Sequence, residues 1–366
     1  MRRSFATADW ARRFARRTRK TQSPVTSIMA LLCLLAGPWV ALAQPAATDS
    51  AASQAPDRRL SVTKLFRDQP FYDPLRAEEH AARVQLLIPA WSEQFPHSET
   101  TGSRFAWQIT LGRELPIVTL SSQVADGPMN RGEWGFGVWA PVSVHMIEDF
   151  ADESNPIVDT DYRFGSMVKF QYGLSDGLRL GVRYVPWAHE STHLGDEYVI
   201  IAQRTTGFER INVSYEYQSI GVSLEGDGPQ GDDGFKARAA WLRPFGDDGY
   251  YSDHLLGSEI VALTSSQKNT EWSLGGEYQL PEWRDRHVYA SLELRNALVY
   301  NYHQSPADPE RRQWTWNMQV GRSAASNART ALKDYFFQVH RGVNPYGQLR
   351  SQADYWSAGF GWVFGF

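Results

Sequence analysis

Cysteine is almost missing from this chain: Cys33 is the only one in 366 residues. It lies inside a stretch read below as a leader, so the mature chain has no thiol. Disulfide frameworks, thiolate nucleophiles and zinc–thiolate centres are thereby excluded. Long apolar runs are missing too. Nothing after residue 43 offers the twenty or so apolar residues that a membrane-spanning helix needs, and mean hydropathy is −0.45. An excess of positive charge is the third absence. The chain has 37 basic and 41 acidic residues, and the leader removes eight of the former and one of the latter, Asp9. That leaves 29 against 40, a net charge of −11. Such a balance, without basic clusters, argues against nucleic acid as a partner.

What is present begins with the leader. Arg2, Arg3, Arg12, Arg13, Arg16, Arg17, Arg19 and Lys20 form a basic region, an apolar run follows from Ile28 to Val40, and Ala41-Leu42-Ala43 offers the small-x-small pattern of signal-peptide cleavage. Residues 1–43 therefore read as a secretory signal peptide, cut after Ala43. A transmembrane helix is the competing reading, but the run is short and is interrupted by Gly37 and Pro38. Leu31-Leu32 before Cys33 do not fit a lipoprotein signal. The polar, Ala-rich residues 44–75 read as a loose periplasmic lead-in, and 76–366 as a barrel.

Aromatics make up 13% of the chain, with 14 Trp and 16 Tyr. They fall on alternate residues. From Trp356 the sequence runs Trp356, Ala358, Phe360, Trp362, Phe364, Phe366 on one face, with Ser357, Gly359, Gly361, Val363 and Gly365 on the other. Trp134, Phe136, Val138, Val142 and Val144 alternate with Gly135, Gly137, Trp139, Ser143 and His145. Tyr162, Phe164, Val168 and Phe170 alternate with Asp161, Arg163, Met167 and Lys169, and Trp314, Trp316, Met318 and Val320 with Gln313, Thr315, Asn317 and Gln319. Apolar-out, polar-in alternation over about ten residues is the signature of a transmembrane β-strand.

The fold class is therefore all-β: a transmembrane antiparallel up-and-down barrel. About fourteen strands can be drawn, at 79–89, 103–124, 132–148, 159–173, 177–190, 207–218, 219–226, 234–243, 255–264, 270–280, 286–302, 311–322, 331–341 and 353–366. Twelve is the alternative. With the C-terminus periplasmic, Gly173–Gly177 becomes a periplasmic turn, while 188–206 and the acidic stretch 225–233 become extracellular.

The segment richest in reactive side chains is Trp187-Ala188-His189-Glu190-Ser191-Thr192-His193-Leu194-Gly195-Asp196-Glu197. If the strand from Leu178 keeps its register, Arg179, Arg183, His189, Ser191 and His193 all face the lumen, with the last three at the extracellular rim. Residues i and i+2 of a strand share a face about 6.6 Å apart, so His189 could take the proton of the Ser191 hydroxyl and make it a nucleophile. The bland alternative is a hydrogen-bonded polar rim. A metal site from His189, His193, Asp196 and Glu197 is a third reading. The two histidines are roughly 13 Å apart on a straight strand, and the acidic pair falls short of the six to eight oxygens that Ca²⁺ takes. No cofactor is otherwise expected. A further inward set, Asp161, Arg163, Lys169, Arg179, Arg183, Arg210, Glu216, Glu293 and Arg295, either forms a salt-bridge ladder that closes the lumen or lines a water-filled pore.

Two resemblances bear on these motifs. His189-x-Ser191 resembles the His-x-Ser arrangement of outer-membrane phospholipase A and of outer-membrane lipid A deacylases. In the phospholipase an Asn on the next strand orients the imidazole, and Asn212, in Arg210-Ile211-Asn212-Val213-Ser214, is the matching residue, at a position of inward parity. Those enzymes carry the dyad on the lipid-facing side, whereas parity places it inward here. Most of the chain from about residue 70 resembles the bacterial family catalogued as domain of unknown function 1207. The carrying stretches are Asp161-Tyr162-Arg163-Phe164-Gly165, Ser191–Tyr198 and Asn344-Pro345-Tyr346-Gly347-Gln348. That likeness implies an envelope location and brings no catalytic assignment.

The expected partners are outer-membrane lipids and, through the C-terminal strand ending in Phe366, the barrel-assembly machinery. The functional expectation is an outer-membrane barrel with a charged lumen, structural or transporting, with a lipid hydrolase using Ser191 and His189 as the alternative. The C-terminal strand is directly testable. The mature protein should shift on gels with heating and fractionate with the outer membrane, and deleting Phe366 or replacing it with Asp should impair insertion. Recovery of the wild-type chain as a soluble periplasmic monomer would refute the barrel.

Overall fold

The computed structural model describes residues 61–63, 74–79, 81–92, 106–122, 129–149, 157–175, 177–195, 212–227, 233–244, 250–252, 270–280, 287–299, 311–323, 332–346, 349–350 and 354–365. No described helix is long and apolar enough to cross a membrane. The strands are β1 (Ser61–Thr63), β2 (Val84–Ser92), β3 (Ala106–Ser121), β4 (Trp134–Asp149), β5 (Ile157–Ser175), β6 (Leu178–Leu194) and β7 (Asn212–Asp227). They continue with β8 (Asp233–Pro244), β9 (Tyr250–Ser252), β10 (Glu271–Leu280), β11 (Val288–Val299), β12 (Arg311–Ser323), β13 (Leu332–Gly342) and β14 (Tyr355–Phe364).

Twelve of these form the wall. Each long strand pairs antiparallel with its neighbour in sequence, from β2 to β8 and from β10 to β14, with β8 pairing β10. The ring closes where Phe364 of β14 meets Val84 of β2 and Ser357 meets Ser92. The short β1 pairs with β3, and β9 with β7. Closure leaves no sheet edge, which is the condition for strands to stand in hydrocarbon. Twelve staves, not fourteen, is the outcome for two reasons. The stretches 207–218 and 219–226 fall on one continuous strand, β7, and the ring closes without 255–264, which lies outside the described residues. Merging two staves into one also moves the acidic 227–233 connection to the end of the barrel where β14 finishes, opposite to its expected place.

Alternation sorts the side chains between two surfaces. On β12, Trp314 is 57% exposed and Asn317, three residues on, is 2% exposed. The outer surface carries Leu111, Val142, Tyr162, Phe164, Phe170, Val222, Leu274, Trp272, Met318, Trp356 and Phe360, all exposed. The inner surface carries Ser143, His145, Asp161, Lys169, Gln171, Arg183, Glu225, Arg238, Glu277 and Gln319, all buried. An apolar, aromatic outside around a polar interior is the arrangement of a membrane-spanning barrel.

β6 breaks its own alternation once. Val185 pairs with Ser219 and Ala188 with Tyr217, so three steps on β6 match two on β7; the same mismatch appears against β5, between Ser166 and Val168. The extra residue at Pro186–Trp187 is a β-bulge, which changes the parity of everything after it. Before it, Gly181, Arg183 and Val185 are buried in the lumen; after it, Ala188, Glu190, Thr192 and Leu194 are. Gly165 of β5 makes room: a Cβ there would stand 2.6 Å from the Trp187 carbonyl oxygen and 2.8 Å from the Ala188 Cα.

Cys33 is the one cysteine in the sequence, so cysteines introduced in a Cys33→Ser background are clean reporters of this flip. A lipid-soluble maleimide should modify His189→Cys and spare Glu190→Cys; the reverse result would mean an unbroken alternation. Leu180→Arg, before the bulge and on the outer face, should cost about 2–4 kcal/mol near mid-membrane.

Candidate functional site

The bulge decides where the reactive segment points. His189, Ser191 and His193 emerge on the outer surface, not in the lumen as an unbroken register requires. Their cross-strand partners on β5 are Phe164, Tyr162 and Thr160, and two of these, Phe164 and Tyr162, are among the exposed aromatics. The His193 ring meets the Tyr162 ring edge-on at 5.9 Å, and the His189 ring lies 5.2 Å from that of Phe164. The Trp187 ring meets that of Phe164 edge-on at 5.4 Å.

Within this cluster the Ser191 hydroxyl is 2.9 Å from His193 Nε2. In the tautomer with its proton on Nδ1, the imidazole accepts that hydroxyl proton. The pair brought together is thus Ser191 with His193, two residues downstream, and His189 stands against Phe164 instead. Glu216 is a second correction: β7 buries Tyr215, Tyr217 and Ser219 and exposes Glu216, directly across from His189 on the outer face. The backbone of Asn212 stands one residue before Val213, the partner of Thr192, and so at the register position facing His193 on the outer parity. Asp196, Glu197 and Arg210 lie outside the described residues. The metal reading that used the first two therefore gains no geometry, and among the described residues no group of three His, Asp or Glu could hold a metal ion.

The inner surface holds the charges, and it is filled. Residues 74–79 and 81–83, the last of which precede β2, run inside the lumen, where a strand beginning at 79 was expected. Arg76 pairs with Glu277 of β10 and lies 3.5 Å from Asp334 of β13, with its guanidinium 4.2 Å above the Tyr289 ring. Glu78 reaches the adjoining arc of the wall, where it pairs with Arg183 of β6 at 2.8 Å and with Arg238 of β8. Glu79 sits 2.6 Å from His340 Nδ1 and 3.8 Å from Arg295. From the opposite end, the turn after β13 folds inward, burying Asn344, Tyr346, Leu349 and Arg350. Tyr346 and Leu349 pack with Ile147, Val158, Leu194 and Tyr355, and Val343 N–H donates to Thr315 Oγ1 at 2.9 Å. Arg350 pairs with Glu271, which also pairs with Arg295, so one chain of ion pairs joins the two inserts.

The sequence-derived lumen set falls into this network. Asp161 is buried, Arg163 lies 5.4 Å from the Tyr217 ring, Arg179 pairs with Asp227 at 2.7 Å, Lys169 pairs with Glu114, and Arg183 holds Glu78. It is the ladder rather than the lining of a water-filled bore. Among the described residues, pockets beside the inserts include ones of about 50 and 70 Å³, room for a few waters each. Residues that sequence reasoning passed over are Arg76, Glu78, Glu79, Arg238, Glu271 and Arg350. The available signal was a charged stretch, Arg76-Ala77-Glu78-Glu79, with no period of two.

No family model matches the chain, and no curated protein matches its sequence. Solved structures do. Outer membrane phospholipase A from Escherichia coli aligns at a TM-score of 0.42 and 11% identity, covering 82% of this chain and 94% of that one. The β domain of the Bordetella autotransporter Brka aligns at 0.34 and 12%, covering 78% and 99%. The CymD monoaromatic hydrocarbon channel aligns at 0.35 and 10%, covering 78% and 88%. A phospholipase, an autotransporter and a channel differ in what they do, and the likeness is one of barrel architecture alone.

The buried Glu78 gives a pH prediction. Burial works to raise its carboxyl, but the facing guanidiniums of Arg183 and Arg238 outweigh it and hold the carboxyl at about 2, against an ordinary 4.5. A carboxyl lowered on docking stabilises the docked insert fully above its ordinary value and loses that contribution as pH falls towards 2. Amide hydrogen-exchange protection at Ala77 and Glu79 should therefore hold at pH 6 and fall between about pH 4 and pH 2. Unchanged protection at pH 2 would separate the insert's stability from Glu78.

Proposed function

We propose that this protein is an outer-membrane lipid hydrolase, with its chemistry on the outer wall of the barrel and its lumen closed. The observation that carries the reading is the 2.9 Å contact between Ser191 Oγ and His193 Nε2 on the lipid-facing surface. With the C-terminal end of β14 periplasmic, the pair lies near the extracellular rim, level with the ester linkages of outer-leaflet lipids. The exposed Tyr162 and Phe164 beside it suit an acyl chain.

In this reading Ser191 Oγ attacks the ester carbonyl carbon while His193 Nε2 takes the hydroxyl proton. The tetrahedral adduct collapses, the C–O bond to the alcohol breaks, and His193 returns the proton to the departing alkoxide oxygen. Water then adds to the acyl-serine with His193 again as base, and the acid and free Ser191 are regenerated. Tyr162 positions the His193 ring by its edge contact, and the register of Asn212 makes it the orienting candidate that the motif resemblance implies. Membership of the family catalogued as domain of unknown function 1207 belongs to this proposal and adds no activity to it.

A closed structural barrel is the second reading. The ion-paired inserts in the lumen favour it over an open diffusion pore, because they place protein where solute would pass.

The test is turnover of phospholipid and of lipopolysaccharide by the purified mature protein in mixed micelles. Ser191→Ala and His193→Ala should each lower it by about 10³-fold or more, as members of one unit. His189→Ala should leave most of it. Turnover undiminished in Ser191→Ala would remove the nucleophile, and absence of turnover in the wild type on either lipid leaves the structural barrel as the reading to keep.

A further inference from the structure

The insert at 76–79 is held in a way that a spacer does not require. Filling a lumen takes only volume, and apolar side chains do it without the desolvation that buried charges incur. Here the wall instead binds the segment's main chain with side chains. Ser291 accepts from Ala77 N–H at 3.0 Å, Asn317 Nδ2 donates to the Ala77 carbonyl at 2.7 Å, and Glu277 accepts from Arg76 N–H at 2.8 Å. Glu293 accepts from Glu79 N–H at 3.2 Å. The segment is a turn, closed by Glu78 N–H on the Leu75 carbonyl at 3.0 Å, and those bonds read its main chain whatever its side chains. The charges then read which side chains it carries. A carboxylate wall, Glu277 and Asp334, takes the guanidinium of Arg76, and an arginine wall, Arg183 and Arg238, takes the carboxylate of Glu78. A cation and an anion two residues apart are thus matched by two adjoining arcs of the wall, β10 to β13 and β6 to β8. A charged segment can also leave such a site, since water solvates what the walls release.

We propose that the inner wall is a recognition site for a short peptide turn bearing a cationic and an anionic side chain at positions i and i+2. In the resting protein the chain's own Arg76-Ala77-Glu78-Glu79 occupies it as an intramolecular stand-in. A free peptide of this class, presented from the end where β2 begins, takes the same bonds once the stand-in is displaced. The inference is independent of the Ser191 chemistry.

The experiment uses the full mature chain in planar bilayers, with the peptide acetyl-Arg-Ala-Glu-Glu-amide as the probe and acetyl-Gln-Ala-Gln-Gln-amide as the control. The wild type should conduct little. The Arg76→Gln, Glu78→Gln double variant, with its stand-in loosened, should conduct more and should bind a fluorescent form of the charged peptide. The control should bind at least about tenfold more weakly, for the loss of charge-assisted hydrogen bonds. Adding the charged peptide should lower the variant's conductance again. Adding Arg183→Leu and Arg238→Leu to the variant should remove the preference for the charged peptide while leaving residual binding through the main chain. Equal binding of the two peptides by the double variant, or binding of neither, would overturn the proposal. Should the double variant fail to insert, Glu78→Gln alone, read by the same peptide pair, separates the same outcomes.

Discussion

The hydrogen-bond ladder between β14 and β2 is the interaction on which the rest depends. Eight registered pairs, from Ser357 with Ser92 to Phe364 with Val84, turn a meander of antiparallel strands into a ring. Without them two edges would carry unpaired amides into hydrocarbon, at several kcal/mol for each unsatisfied group. Once the ring exists, each residue has only two places to point. Lipid takes one parity and the lumen takes the other, and every charge on the inner parity must find a partner within a narrow enclosed space. The ion pairs follow from closure: they are what a polar interior does when it is filled with protein rather than with water.

One residue redirects the chemistry within that scheme. Had β6 run unbroken, Ser191 and His193 would have joined the inner network in the places that Glu190 and Thr192 now take, and would not face lipid. The bulge at Pro186–Trp187 turns them outward, brings Trp187 and His189 against Phe164, and sets Tyr162 against the His193 ring. Gly165 is the residue on the neighbouring strand that allows this, because a side chain there would collide with the bulged backbone.

The wall of the barrel was legible because lipid enforces a period of two so strictly. Trp314, Met318 and Val320 face out and Thr315, Asn317 and Gln319 face in, as their alternation requires, and Asp161, Arg163, Lys169, Arg179 and Arg183 lie inside. Where the alternation is interrupted, the reading failed. Dividing β7 in two places Glu216 inward, and the same division produces the surplus strand. The outward turn of Ser191 was missed although Pro186 marked it, since a proline within a strand signals an edge or a bulge. The lumen insert was missed for a different reason. Its wall partners lie 105 residues or more away in sequence, as with Glu78 to Arg183 and Ala77 to Asn317, and no local pattern records a contact of that range.

The four charged contacts of Arg76 and Glu78 draw on β6, β8, β10 and β13, which stand in one unbroken run of the wall, with β8 paired to β10. A curved sheet zipped from β6 to β13 presents all four before β14 has met β2. The segment therefore needs those staves paired and curved, although it precedes every stave of the wall in the chain. Its seating reports that this run of the wall is in register. A single-residue slip of β6 or β10 would turn Arg183 or Glu277 out towards lipid and leave the insert without one of its anchors, so a misaligned barrel stays unlatched.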